Sequence, residues 1–141
     1  MGEAPGSDKR YSFAIPADDN GTELHLFESA IDLLSYCTLS EISGKVWRQW
    51  HLLSLAGIYS PKENNDEGIA PAALTQCLQT YPQVDRLVLH LDNDGPGRMA
   101  TAAISHLLTP VLSISDEPPK NGKDINEDLI NILARRKGRI R

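Results

Sequence analysis

Short apolar runs alternate with amphipathic helical stripes four times along this chain, and that alternation limits its fold more than any other feature. ELHLF (Glu23 to Phe27), WHLLSLAG (Trp50 to Gly57), RLVLHL (Arg86 to Leu91) and PVLSIS (Pro110 to Ser115) read as strands. Helical spacing follows each of them. The stripes are Ile31, Leu34 and Cys37; then Ala70, Ala73, Leu74, Cys77, Leu78 and Tyr81; then Met99, Ala100, Ala103, Ile104, Leu107 and Leu108; and last Ile125, Leu129, Ile132 and Leu133. RLVLHL is apolar on both sides, the pattern of a strand covered from both faces. Four strand-helix units predict an α/β sandwich of about four mainly parallel strands, joined by right-handed crossovers, with helices on both faces. A length of 141 residues suits one such core. Residues 1–22 show little periodicity and are expected to be a leader or the end of an upstream domain, which leaves 23–141 as the folded unit.

Ligands of parallel sheets bind outside the carboxyl ends of the strands. The first strand ends in Phe27-Glu28-Ser29 and the third in Leu91-Asp92-Asn93-Asp94. If both reach one edge, three carboxylates converge with no cysteine or histidine among them, and all-oxygen ligation suits a hard cation such as Mg²⁺ or Mn²⁺. The same Asp94-Gly95-Pro96 segment also has the chemistry of a plain turn into a helix. An EF-hand loop does not fit, because Pro96 occupies the third ligand position and Ala103 stands where the closing glutamate belongs. A haloacid-dehalogenase-type phosphatase would carry its DxD on the first strand, and here the pair follows the third.

Other metal and redox chemistry finds little support. Cys37 and Cys77 lack a CxxC partner and read as reduced, buried thiols; the four histidines show no ligand spacing and read as structural. With no long apolar run for a membrane span or signal peptide, the expectation is a soluble, cytoplasmic protein. Charge is uneven. Residues 118–141 hold seven Lys and Arg against three Asp and Glu, whereas the rest of the chain holds seven against sixteen. The ending ARRKGRIR is the one strongly basic stretch, suited to a solvated helix end or to nucleic acid.

Taken together, ESAIDLLS (Glu28 to Ser35), HLDNDGPG (His90 to Gly97) and PPKNGKDINEDL (Pro118 to Leu129) resemble the three blocks of a Toprim domain. That catalytic module is shared by bacterial-type primases, type IA and type II topoisomerases and some nucleases. The closest resemblance is to the Toprim-like branch of primase-like proteins from plasmids and other mobile elements. It runs from Glu23 to the last helix and implies a Toprim, Rossmann-like sandwich.

The resemblance also implies roles. Glu28 matches the glutamate proposed as general acid or base in phosphoryl transfer, and stands where it could join the metal site. Asp92 and Asp94 match the aspartate pair that holds Mg²⁺ (or Mn²⁺). Asp32, one helical turn after the glutamate, could orient it, and Gly97 matches the glycine that opens the next helix. Classical members have glycine after the glutamate, and this chain has Ser29. In the third block, Asp124 with Glu127 reads as a capping box, with metal or substrate contact by Lys123, Asp124 or Asn126 as the other reading. Arg135, Arg136, Lys137 and Arg139 are the candidate nucleic-acid contacts. The function implied is Mg²⁺-dependent phosphoryl transfer on nucleic acid, DNA first, by a primase-like domain of a larger mobile-element replication protein. A Toprim-type nuclease and a non-catalytic nucleic-acid-binding or docking module are the alternatives.

Overall fold

A computed structural model describes residues 12–55 and 70–139. The loop SPKENNDEG, the end of the second expected strand at Gly57 and the last two residues lie outside the described residues, as does the side chain of Arg139. Among the described residues, five strands are present: β1 (Ala14–Ile15), β2 (Glu23–Phe27), β3 (His51–Ser54), β4 (Arg86–Leu89) and β5 (Ser113–Asp116). Four α-helices accompany them among the same residues: α1 (Ala30–Ser43), α2 (Ala72–Thr80), α3 (Gly95–Leu108) and α4 (Ile125–Arg139). The strand order is β1-β3-β2-β4-β5, with β2, β3, β4 and β5 mutually parallel and β1 antiparallel to β3.

The four expected strands are all found. The fifth, β1, is a two-residue edge inside the segment read as a leader, and it was invisible as a pattern because two residues show no alternation. Its register, Ala14 with Leu53 and Ile15 with Leu52, caps the free edge of β3.

Alternation assigns the faces. Leu24, Leu26, Leu53, Leu87 and Leu89 point to one side and pack with Ala73 and Leu74 of α2 and with Ala100 and Ile104 of α3. Phe27 and Leu52 point to the other and pack with Leu33, Tyr36 and Cys37 of α1 and Ile125 of α4. Leu26 and Leu89, adjacent in register, are completely buried.

The first helix is rotated from its expected phase. Ile31 and Leu34 are exposed, at 60% and 48%, while Leu33, Tyr36 and Cys37 face the sheet. Asp32, Ser35 and Ser40 are also buried, so the inner face of α1 is partly polar and breaks the apolar stripe by which its phase would be read.

A polar layer crosses the same face. His25 Nδ1 lies 2.7 Å from His90 Nε2, and His90 Nδ1 lies 3.0 Å from the Glu117 carbonyl. The carbonyl only accepts, so His90 donates from Nδ1 and His25 donates from its own Nδ1 to His90. Burial pushes both imidazoles down, to about 3, and disfavours charge on either. Yet His25 Nε2 stands 2.8 Å from Glu23 Oε1, a contact that requires a proton between the two. The histidines are structural, as their spacing suggests, and they bind β2 to β4. Among the described residues, no helix is long and apolar enough to cross a membrane.

Leu26→Ala is expected to cost about 2–5 kcal/mol, the range for emptying a filled core site. Leu34→Ala should stay within about 0.5 kcal/mol, as exposed positions do. Urea denaturation of both variants checks the helix phase.

Candidate functional site

β2 is followed by α1 and then β3 on one side, whereas β4 lies on its other side, so the strand order reverses between β2 and β4. A crevice opens at such a reversal. Glu28 follows β2 and Asp92 follows β4, and with Asp32, Asp124 and Asn126 they line an open cleft of about 460 Å³.

Three helices begin at this edge, each capped by a residue of one of the sequence blocks. Ser29 caps α1, accepting from the Asp32 amide at 3.2 Å and donating to Asp32 Oδ2 at 3.0 Å. Serine in place of the usual glycine therefore has a capping role, legible in advance from the S-x-x-D spacing. Asp94 caps α3, with Oδ1 accepting from the Gly97 amide at 2.8 Å. Asp124 caps α4, accepting from the Glu127 amide at 2.8 Å. Glu127 accepts from the Lys123 amide at 2.8 Å, one residue before the cap, so the box is closed one position early.

These caps divide the predicted residues. Glu28 and Asp92 share a hydrogen bond between their carboxyl groups, which requires a proton on one of them. Burial, the Glu28 bond and the charges of Glu28, Asp94 and Asp124 push Asp92 up to about 7, so the pair holds a proton far above the usual carboxylate range. Asp94 turns one oxygen into its helix and contributes mainly potential. Asp32 is buried, and burial raises its pKa against the lowering by the Asn126 amide, 3.1 Å from Oδ1, and by Ser29. It thereby ties α1 to α4, as does Ser35, whose hydroxyl donates to Asn126 Oδ1 at 3.1 Å. Lys123 is exposed, and its carbonyl accepts from the Asn93 amide at 2.6 Å, which fastens the third block to the loop carrying Asp92.

The far end of α4 carries Arg135, Arg136 and Lys137, all exposed and away from the cleft. Two residues not singled out from sequence support the site. Asp128 is buried and accepts from the Lys120 and Asn121 amides, both at 2.7 Å, which holds the loop before α4. Arg98 pairs with Asp116 at 2.9 Å and donates to the Leu91 carbonyl at 3.4 Å, joining the ends of β4 and β5. An acidic residue at the fourth position of a helix gives no signal of a loop anchor in a sequence.

Among the described residues, no three carboxylate, imidazole or thiol groups are set to ligate one ion together. The donor set suits a different arrangement. Mg²⁺ takes oxygen ligands, is commonly held by one or two carboxylates, and fills its shell with water and phosphate. Glu28 and Asp92 are two close carboxyl groups that repel when both are ionised, and such a cation could relieve that repulsion in place of a proton, so the residues fit.

Residues 25–129, well over half of the chain, match the protein family described as Toprim-like. No curated protein matches. Among solved structures, the primase fragment of the bacteriophage T7 primase-helicase protein is 19% identical, with a TM-score of 0.47 over 82% of this chain and 41% of that one. A bacteriophage T7 lagging-strand DNA polymerase structure with primase domains bound to an RNA/DNA hybrid and dTTP gives 20% identity and a TM-score of 0.46, over 82% of this chain and 50% of that one. The chain thus spans half or less of the length of these structures.

Two outcomes test the geometry. A Cβ at Gly97 would overlap the Asp92 carbonyl oxygen, so Gly97→Ala should shift the Asp92 loop and lower the melting temperature, whereas Gly95→Ala, which meets open space, should disturb neither. Asp92 has a folded pKa raised above its unfolded value, so in metal-free protein it stabilises the fold at low pH, and this contribution is lost as pH rises through about 7. Asp92→Asn should therefore unfold later than the parent at pH 8 and flatten the stability profile between pH 5 and pH 8, measured by thermal denaturation in EDTA.

Proposed function

Because the chain belongs to the Toprim-like family, we propose that it is the Mg²⁺-dependent catalytic domain of a primase-like protein and works in phosphoryl transfer on nucleic acid. The observation that carries this reading is the Glu28–Asp92 carboxyl pair, set in an open cleft at the strand-order reversal. The motif spelling supports a DNA replication protein of a plasmid or other mobile element, acting in the cytoplasm with neighbouring domains.

Bound Mg²⁺ supplies the positive charge that gathers phosphate oxygens. Asp92 and Glu28 would hold it, with Asp94 and Asp124 adding negative potential from their caps. A cation there would offset those carboxylate charges and so favour the ionised form of Asp92 despite its burial. Glu28 then stands half-buried at the cleft and moves the proton of the attacking or departing hydroxyl. Asp32 is a positioning residue: through Ser29 it sets the start of α1 directly after Glu28, and through Asn126 it fixes α4 against it. The amides at the three helix N-termini favour negative charge at this edge, whether from carboxylate or from phosphate. Arg135, Arg136 and Lys137 supply the positive charge for the nucleic-acid backbone that the acidic body lacks.

Calorimetric or NMR titration with Mg²⁺ and Mn²⁺ is expected to give binding that Asp92→Asn abolishes. In the full-length protein, Glu28→Gln should lower metal-dependent nucleotide joining by about 10²–10⁴-fold, the range for a lost acid or base, with an unchanged circular dichroism spectrum. Undiminished turnover would remove Glu28 from the chemistry. Metal-dependent cutting of DNA without synthesis would make the domain a nuclease, and DNA binding with neither metal affinity nor turnover would make it a docking module.

A further inference from the structure

α1 and α4 both begin at the acidic cleft and lie side by side on one face of the sheet. α1 must end at the opposite edge, because the chain leaves it for β3, which is parallel to β2. Gly44, in the left-handed conformation at φ 79°, ends the helix and turns the chain to Lys45, and Arg48 follows in the short turn Trp47–Gln49. α4 passes Asn126 beside Asp32 and Ser35, so nine residues later Arg135 stands level with the end of α1. Arg136 and Lys137 come next. The five cations Lys45, Arg48, Arg135, Arg136 and Lys137 thus share one edge, about 17 Å from Asp124 at 1.5 Å per residue.

All five are exposed, and none is paired with a described carboxylate. The Arg48 guanidinium is held 4.5 Å from the centroid of the Trp47 ring, and the Trp47 indole N–H is fixed by Glu41 at 2.9 Å. That bond also engages the Glu41 carboxylate, while the Asp18 amide donates to the Arg48 carbonyl at 2.9 Å and holds the turn from the other side. Both helices run toward this edge, and the dipole of each favours cations at its carboxyl end.

We propose that this edge is a second nucleic-acid contact. It anchors the backbone of a strand at a distance of about five base-pair steps of 3.4 Å from the cleft. The choice of nucleic acid rests on the function proposed above. The five cations outnumber the exposed Asp18 and Asp19 that lie beside Arg48, which leaves this edge net positive and suited to a polyanion, although the chain before Pro118 holds seven basic against sixteen acidic residues. Lys45 and Arg48, far from the basic ending in sequence, are thereby assigned to the same contact.

Fluorescence anisotropy with a labelled 20-nucleotide single strand, across a salt series on the 141-residue chain, tests this. Lys45→Ala with Arg48→Ala should reduce the slope of log affinity against log salt by about 1.4, and the set Arg135→Ala, Arg136→Ala, Lys137→Ala by about 2.1, at about 0.7 per phosphate contact. Circular dichroism monitors folding of both. An unchanged slope in the Lys45 and Arg48 variant, or loss confined to Asp92→Asn, would overturn the shared edge. Absence of salt-dependent DNA binding by the parent chain would also overturn it and leave an acidic protein as the partner. The metal titration of Asp92 uses no DNA, so its result stands apart from these.

Discussion

Repulsion among the carboxylates at the carboxyl edge of the sheet is the constraint to which the surrounding residues answer. Burial and the charges of Glu28, Asp94 and Asp124 raise the cost of ionising Asp92, and Asp32 is buried beside them. Each is accommodated by a different local device. Asp94 and Asp124 accept from the amides of the helices they cap, and Asp32 accepts from the Asn126 amide and the Ser29 hydroxyl. Asp92, pushed up to about 7, keeps a proton more readily than an ordinary aspartate. What remains is one carboxyl pair, Glu28 with Asp92, whose repulsion is relieved by that proton rather than by a backbone donor. A cation would act where the local structure leaves charge uncompensated.

Holding those two groups together is a matter of topology. β2 and β4 are paired at a separation of 63 residues in the chain yet adjacent in the sheet, in register from Glu23 with Arg86 to Leu26 with Leu89. Below the cleft, the Glu23, His25 and His90 chain binds the same two strands, and Arg98 with Asp116 binds β4 to β5. Gly97 lets α3 start against the Asp92 carbonyl, where any side chain would intrude. The Asn93 amide and the Lys123 carbonyl then fasten the third block to the second. The three motifs that lie apart in the sequence become one edge through these few bonds.

Much of this was legible beforehand. RLVLHL showed a doubly covered strand, and Leu87, Val88 and Leu89 are buried on both faces. Asp124 and Glu127 read as a cap, and they form one. The misphased stripe of α1 shows where reading fails: Ile31 and Leu34 match the helical period as well as Leu33 and Tyr36 do, and the polar Asp32 and Ser35 on the buried side obscured which set faces inward. Those polar residues are buried because α4 brings partners to them, and no local pattern reports a partner 91 or 94 residues away.

The sequence by itself determined the α/β alternation, the strand ends at which acidic residues emerge and the Toprim-like blocks, because periodicity, capping and turn chemistry act over a few neighbouring residues. Only the tertiary structure decided which acidic side chains are buried and that Glu28 and Asp92 come together as a pair. Those outcomes depend on distances between segments far apart in the chain, and a carboxylate's charge state is set by the donors and charges that folding places around it.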